Sequence, residues 1–411
     1  MNYITLEEAM EQVGWDQQID ALSVYRAFEH IEDGRHKRGV RYNVALILTL
    51  IVLGKGAGMT TLAGIAEWVR LRAGWLSKVL PVSRQSFPCA ATYSNVLRAV
   101  DVEQVRQVIN DWLTRVGASK RCGEEPSRLL EQKERQEHVH VALDGKTLRG
   151  TLGHAAVDQQ KMHQLALYET QTGVLLKEQV TGEKQNELSI VSQFLTPLLV
   201  KGRIISADAL HTQCAFCWQV RRWEGDYVLI VKGNQPTLHD DLELFFREPP
   251  VDCRDWRTAR TVDKGHGRLE IRELVATTEL NDFLAGQWAG IAQVFRLTRT
   301  VKEGEQTHTE VVYGITSLAP EQASPERLLH LVREHWAIEN RLHWRRDVTL
   351  REDHCQVRKG DAPRLLAILN SFLLAVLDFL GVSNVPKQMR IFDAQPLLAV
   401  RLLLGSLLTF K

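Results

Sequence analysis

Three acidic residues stand where a chain places groups that act together. Asp144 closes the apolar run His138-Val-His-Val-Ala-Leu-Asp144, Asp208 closes Arg203-Ile-Ile-Ser-Ala-Asp208, and Glu339 lies inside Arg333-Glu-His-Trp-Ala-Ile-Glu339. The first two runs are strand-like and the third is helical, and together they can bring three carboxylates to one point. Such a trio repels itself unless cations lie between its members. Two divalent ions meet that need, and a two-metal carboxylate site is the machinery of in-line phosphodiester cleavage and transfer. The pattern points to DNA-processing chemistry that uses two divalent cations.

Basic and polar groups gather around this trio in the sequence. His335, Glu339 and Arg346 are spaced by four and seven, which places them on one face of a regular α-helix. Lys146 follows Asp144 by two positions, and with Arg346 and His335 it is placed to offset charge on a pentacoordinate phosphate. Lys232, Asn234 and Gln235 follow a strand on the edge that carries the aspartates. Lys264, His266, Arg268 and Arg272 form a basic ribbon, a candidate DNA-end contact. Trp256 and Trp288 could stack on an extruded base. Each feature has an ordinary reading as well: a salt-bridged helix surface, a Gly-Asn turn, an exposed strand, a packed tryptophan. Glu352 and Asp353 compete with Glu339 for the third carboxylate, although helix geometry favours Glu339.

The elements that must position these groups follow from periodicity. Apolar residues recur every three and four positions through Tyr42 to Leu53, Leu62 to Leu71 and Val102 to Val116, so residues 1–117 read as a helical N-terminal domain. Its densest basic cluster is Arg35, His36, Lys37, Arg38 and Arg41. Residues 118–137 are polar and read as a linker. Strand-like runs follow at Val139 to Leu143, Met162 to Tyr168 and Val174 to Val180. Helix, strand, helix and strand come next at Glu187 to Leu199, Ile204 to Ala207, Thr212 to Arg222 and Tyr227 to Val231. This is the order of an α/β, RNase H-like mixed sheet with helices on both faces, in which the first and fourth strands are neighbours. Residues 138–248 form its first part, 249–317 a β-rich insertion, and 318–411 its second part. The glutamate helix is capped by Ser324 with Pro325 at its first position.

The composition permits this reading without compelling it. The chain has 411 residues, 51 basic against 50 acidic, and a net charge of +1, so its charge alone does not announce nucleic acid. Basic residues concentrate locally from Arg341 to Arg364. Six scattered cysteines imply no disulfide framework, and Cys214-Ala-Phe-Cys217 lacks the further ligands a zinc site needs. No leader pattern opens the chain, and the apolar stretches Val44 to Leu53 and Leu365 to Leu380 read as buried helices, so a cytoplasmic, nucleoid-associated protein without membrane contact is expected.

Six ordered strings then carry a resemblance. They are Asp144-Gly-Lys-Thr-Leu-Arg-Gly, Glu183-Lys-Gln-Asn-Glu187, Asp208-Ala-Leu-His-Thr-Gln, Tyr227-Val-Leu-Ile-Val-Lys-Gly-Asn-Gln235, His266-Gly-Arg-Leu-Glu-Ile-Arg272 and His335-Trp-Ala-Ile-Glu-Asn-Arg-Leu-His-Trp344. Together, and with Arg38-Gly-Val-Arg-Tyr42 before them, they resemble the insertion-sequence DDE transposases of the ISAs type, which include the H-repeat-associated proteins. The resemblance implies an RNase H-like catalytic domain with a β-strand insertion, Mg²⁺ dependence, and a triad of Asp144, Asp208 and Glu339. It also implies double-stranded DNA as partner and a homodimer when two ends are synapsed. Cut-and-paste relatives carry Tyr and Arg before the glutamate and Lys after it, where this chain has Val332, His335 and Arg346. A hairpin route built on that Tyr and Arg is therefore not carried over. A DNA-binding relic without turnover, or a nuclease without strand transfer, would share the fold.

Overall fold

The computed structural model describes residues 23–35, 40–80, 82, 86–122, 139–147, 163–171, 173, 175–181, 187–265, 267–336 and 338–405. Of the groups singled out in the sequence, His36, Lys37, Arg38, His266 and the run Glu183 to Asn186 lie outside these residues, as does most of the expected linker.

Among the described residues six helices come first: α1 (Val24–Phe28), α2 (Val44–Gly56), α3 (Leu62–Leu71), α4 (Ala73–Val79), α5 (Ala90–Ala99) and α6 (Val102–Cys122). Side chains of Ser23, Asn43 and Thr61 accept N–H groups at the starts of α1, α2 and α3, the usual way of satisfying a helix's first donors. Helix α6 runs five residues beyond the expected boundary at 117.

The sheet then begins with β1 (Val139–Thr147), β2 (His163–Glu169) and β3 (Leu175–Thr181). Helices α7 (Glu187–Phe194) and α8 (Pro197–Val200) lead to β4 (Arg203–Ala207), and α9 (Cys214–Arg222) leads to β5 (Asp226–Val231). After α10 (Pro236–Arg247) come β6 (Arg257–Gly265), β7 (Arg268–Thr277), the short α11 (Asn281–Leu284), β8 (Gln293–Glu303) and β9 (Gln306–Thr316). All nine strands belong to one sheet, in the order β3-β2-β1-β4-β5-β9-β8-β7-β6. Strands β1, β4 and β5 are parallel, and β9 joins β5 antiparallel. The β-rich insertion thus extends the sheet that carries the aspartates.

Helix α12 (Pro325–His335) lies across β1, β4, β5, β6 and β7. Its start matches the expectation: Ser324 Oγ accepts the Arg327 N–H at 3.4 Å, with Pro325 in the first position. Beyond it the chain widens into two π-helical segments, Ile338–His343 and Arg345–Thr349. The bond from Leu350 N–H to Arg345 O, 2.9 Å, has the i→i+5 spacing of that geometry. Such segments are rare and concentrate at functional sites. Helices α13 (Ala362–Phe379), α14 (Val385–Ala394) and α15 (Pro396–Leu404) close the described chain.

Three hydrophobic clusters follow from strand alternation. On one face, Val141, Leu143, Leu165, Leu167, Ile205 and Leu229 pack under the helices between β3 and β6. On the other, Ile204, Val228 and Phe295 meet α12, while Ala142, Ala166 and Tyr168 meet a large helical cluster. That cluster joins α1–α6 to α13–α15, so the N-terminal helices share one core with the C-terminal ones. Helix α13 is long and apolar enough to cross a membrane, but 83% of it is buried inside this core.

Candidate active site

Register places the first two carboxylates. The last parallel pair between β1 and β4 is Leu143 with Ala207, so Asp144 and Asp208 are the next residue on each strand, side by side. Neighbouring strands lie roughly 4.8 Å apart. Strand β1 continues past Asp144 to Thr147 by pairing with β2, so the residue sits inside the strand and not at its end as the apolar run implied. Asp208 ends β4 and caps a 3₁₀ turn, accepting Ala209 N–H at 2.7 Å.

Glu339 comes from the first π-helical segment, and His343, four residues on, links it to Asp144. The His343 Nδ1 lies 3.1 Å from Glu339 Oε2 and 3.4 Å from Asp144 Oδ2. His343 is buried and its Nε2 has no partner. Burial alone would lower its pKa, but hydrogen bonds to the two carboxylates raise it overall. The carboxylates respond in kind. Burial works against the charged form of Asp144, yet hydrogen bonding and charge from His343 hold it below the usual range, and the His343 hydrogen bond does the same for Glu339. Asp144, Glu339 and His343 offer ligand atoms within 4.8 Å of one another. Two carboxylate oxygens and one imidazole nitrogen, with a second aspartate in the adjacent strand, form a donor set that fits Mg²⁺ or Mn²⁺. Asp208, 57% exposed, is not in the tightest group. His343 belonged to the last quoted motif, and its i+4 spacing from Glu339 was the available signal.

The neighbouring cations behave differently from the sequence expectation. Arg346 is 0% exposed. It donates to Glu178 Oε1 at 2.6 Å, Gln164 Oε1 at 2.8 Å and Glu352 Oε1 at 2.6 Å, and so cannot reach a phosphate at the surface. The reason is geometric: α12 ends at His335, and the wider π turns that follow carry Arg346 off the Glu339 face and under the sheet. Lys146 is likewise buried, pairing with Asp347 and lying 3.5 Å from Glu352. This pairing also removes Glu352 from the competition for third carboxylate. Burial opposes its charged form, but Arg346 and Lys146 outweigh that and hold its carboxyl at about 2.

Asn234 and Gln235 hold the aspartate loop in shape. The Asn234 amide donates to Ala209 O at 2.6 Å and that of Gln235 to Thr212 O at 2.9 Å, tying the turn after β5 to the turn after Asp208. Lys232 remains exposed, its Nζ 3.9 Å from Asp208 Oδ1. In the ribbon, Arg272 is engaged by Asp263 and Glu270, and Arg268 by Glu270 at 3.3 Å, so much of its positive charge is compensated. The basic surplus from Arg341 to Arg364 is similarly reduced. Arg341 donates to Thr170 O and Arg345 to Asp378, while Arg351, Arg358 and Lys359 stay exposed. Trp288 is core, whereas Trp256 packs on Phe245 and Phe246 and keeps a part of its ring in solvent. The exposed tryptophans beside Glu339 are Trp336 and Trp344.

His335 ends α12 with its Nδ1 2.9 Å from Ser206 Oγ. Burial is the main reason its pKa falls to about 4, and the fields of Asp144 and Asp208 oppose the fall. It is a neutral imidazole at pH 7, not a cation.

A family model described as the transposase DDE domain matches residues 135–377, and one described as DDE_Tnp_1-associated matches 25–113. The H repeat-associated protein YhhI of Escherichia coli (strain K12), named as a candidate transposase, is 31% identical over 247 residues, covering 58% of this chain and 63% of YhhI. YncI of Escherichia coli O157:H7, also named as a candidate transposase, is 25% identical over 350 residues, covering 84% of this chain and 85% of its own. Among solved structures, a piggyBac transposase synaptic complex with hairpin DNA aligns with 99% of this chain and 81% of its own, at 12% identity and a TM-score of 0.42. That distance is too great for the site to be read from it.

Proposed function

Because this chain belongs to the transposase DDE-domain family, we propose that it cuts double-stranded DNA at the ends of an insertion sequence and joins those ends to target DNA. The observation that carries the reading is the placing of Asp144 beside Asp208 by strand register and beside Glu339 through His343. The strand order β3-β2-β1-β4-β5 supports an RNase H-like core, with β6–β9 as its insertion.

In this reading Asp144, Asp208 and Glu339 hold two divalent cations, Mg²⁺ or Mn²⁺, with His343 adjoining them. When bound, such ions supply positive charge at the attacking and leaving oxygens of an in-line displacement. The chain's residues do the rest. His343 keeps Glu339 drawn toward Asp144, Asn234 and Gln235 fix the loop after Asp208, and exposed Lys232 offers charge to a phosphate beside that aspartate. Lys146 and Arg346 act from below by clamping the π-helical segment. Arg268, Arg351, Arg358 and Lys359 supply exposed contacts for the DNA backbone, and two copies of the chain pair when two ends are brought together.

The test is incubation of the purified protein with a plasmid carrying both DNA segments that flank its own gene, with Mg²⁺ or Mn²⁺, beside Asp208→Ala. Metal-dependent cuts at the element ends, lost in the variant, are expected. Equal cutting by the variant would overturn the triad. Salt-sensitive binding without cuts by either protein would favour a DNA-binding relic.

A further inference from the structure

Four residues outside the carboxylate trio form an unbroken line of hydrogen bonds beneath it. Glu334 Oε2 lies 3.2 Å from His140 Nδ1, His140 Nε2 lies 2.8 Å from Ser206 Oγ, and Ser206 Oγ lies 2.9 Å from His335 Nδ1. His140 precedes Asp144 by four positions on β1, and Ser206 precedes Asp208 by two at the end of β4. Strand alternation puts His140 and Ser206 on the face that α12 covers, and Glu334 and His335 come from α12 itself. His140 and Ser206 are buried, whereas Glu334 is 24% exposed at the outer end.

The chemistry of the partners fixes where each hydrogen sits. An ionised carboxylate only accepts, so His140 Nδ1 carries a hydrogen and points it at Glu334. Thr170 agrees: its hydroxyl donates to the His140 carbonyl at 3.3 Å, leaving its oxygen to accept from the same Nδ1 at 3.1 Å. His140 Nε2 is then a bare acceptor, and the Ser206 hydroxyl must donate to it. Ser206 Oγ in turn accepts the Nδ1–H of His335. The far nitrogen, His335 Nε2, is left with a free lone pair. Among the described residues nothing is hydrogen-bonded to it, and the charges and titratable groups facing this ring are Asp144, His140, Asp208 and His211. A network that only satisfied buried polar groups would have no need to end in a bare nitrogen on a ring bonded to the strand face that also carries Asp144 and Asp208.

We propose that Glu334, His140 and Ser206 hold His335 in the Nδ1–H tautomer, so that its Nε2 takes the proton from the attacking O–H: water when the strand is cut, a DNA 3′-hydroxyl when it is joined. The proposal rests on the transposase reading above. As the O–H bond breaks, the proton bonds to Nε2 and the electron pair stays on oxygen, which forms the new P–O bond. The departing oxygen leaves with its own bonding pair and is protonated from solvent. The imidazolium then gives its Nε2 proton to solvent, which restores the bare acceptor, while Ser206, His140 and Glu334 keep the Nδ1 hydrogen in place. His335 is the catalytic residue, and the other three are positioning residues. Burial lowers the pKa of both histidines.

Two measurements test this. The first is ¹⁵N–¹H correlation of the full chain labelled at histidine, at pH 7, with His335 assigned by its loss in His335→Gln. An Nδ1–H signature is expected, and an Nε2–H signature would overturn the proposal whatever the activity. The second is single-turnover cutting, with Mg²⁺, of the plasmid carrying the flanking DNA. His335→Ala is expected to cut about 100-fold more slowly, to bind Mn²⁺ as the wild type does, and to recover on addition of free imidazole. Ser206→Ala should slow cutting while Ser206→Thr, which keeps the hydroxyl, restores it. Undiminished cutting by His335→Ala, or slow cutting with no imidazole rescue, sinks the proton-acceptor role. If the wild type does not cut at all, the transposase reading fails instead, and the tautomer alone decides the hydrogen-bond chain.

Discussion

Strand β1 serves two acidic clusters built from the same residue types, and they are opposite in design. Asp144 belongs to the first, with Asp208 and Glu339, where one buried histidine joins Asp144 to Glu339 and an exposed lysine lies 3.9 Å from Asp208. Lys146, two residues on, belongs to the second, where Arg346 pairs with Glu178 and Glu352, Lys146 pairs with Asp347, and Gln164 and Asn370 add hydrogen bonds to Arg346 and Glu352. Two buried cations in direct ion pairs close the second cluster, with Arg346 and Glu178 almost wholly out of water. The first has no buried arginine or lysine among its carboxylates, and its half-exposed Asp208 and Glu339 leave it open toward solvent and fit for a cation. The contrast separates a clamp from a site more surely than residue type, since both clusters are rich in acid and both draw on the π-helical segments.

Opposite substitutions should break this pairing of clusters in opposite ways. Arg346→Met leaves Glu178 buried without its ion-pair partner and Glu352 with Lys146 alone, and should cost about 3–5 kcal/mol in urea unfolding. Glu339→Gln, at a half-exposed position that relieves repulsion with Asp144, should stay within about 1 kcal/mol of the wild type while abolishing cutting. Similar stability losses for the two variants would end the distinction. Cation binding comes next in size. Mn²⁺ at 100 times its dissociation constant should stabilise the wild type by about 2.7 kcal/mol. Calorimetric titration should show that gain lost in Asp144→Ala and kept in Glu352→Gln, because the second carboxylate is already neutralised.

The same contrast explains what could be read from the sequence. Asp144 and Asp208 end the parallel pairing of two alternating apolar runs, so their neighbourhood followed from period and order, as did the capped start of α12 at Ser324. Arg346 was misread because an α-helical wheel was extended through Trp336 into residues that wind with a π turn. Nothing in the composition of Ile338–His343 announces that change. Lys146 was misread because alternation gave its face, while its partner Asp347 lies about two hundred positions away. The hydrogen-bond line at His140 was visible in part, since alternation puts His140 and Asp144 on one side of β1. Its link to Ser206 and His335 depends on where α12 crosses the sheet.

Acid should sharpen the comparison with a smaller effect. The Glu352 carboxyl is held at about 2 in the folded chain, mainly against burial by Arg346 and Lys146, and so lies below its unfolded value near 4.5. A depressed carboxyl contributes stability that is whole above the unfolded value and is lost as pH falls through the folded one. Unfolding free energy should therefore decline between about pH 4.5 and 2, with a slope approaching about 1.4 kcal/mol per unit for one proton. Glu352→Gln should remove one proton's share of that limb, and an unchanged limb would show that the clamp does not depend on this charge.

The smallest effect concerns a third cluster, which grades the first two. Glu270 in β7 is buried and accepts from Arg272 at 2.7 Å and from Arg299, with Arg268 at 3.3 Å. Its residue types match those of the Arg346 clamp, but its arginines reach water, Arg299 being 37% exposed and Arg268 48%. Screening then weakens each pair, and a lost partner is replaced by solvent or by a neighbouring arginine. Arg268→Ala should therefore cost no more than about 1 kcal/mol, and less at high salt. The same substitution should lower the salt dependence of DNA binding by about one counterion if Arg268 touches a phosphate. A stability loss as large as that of Arg346→Met would mean that burial is not what separates these clusters. An unchanged salt slope would confine Arg268 to the sheet and leave Lys232, Arg351, Arg358 and Lys359 as the cations that meet DNA.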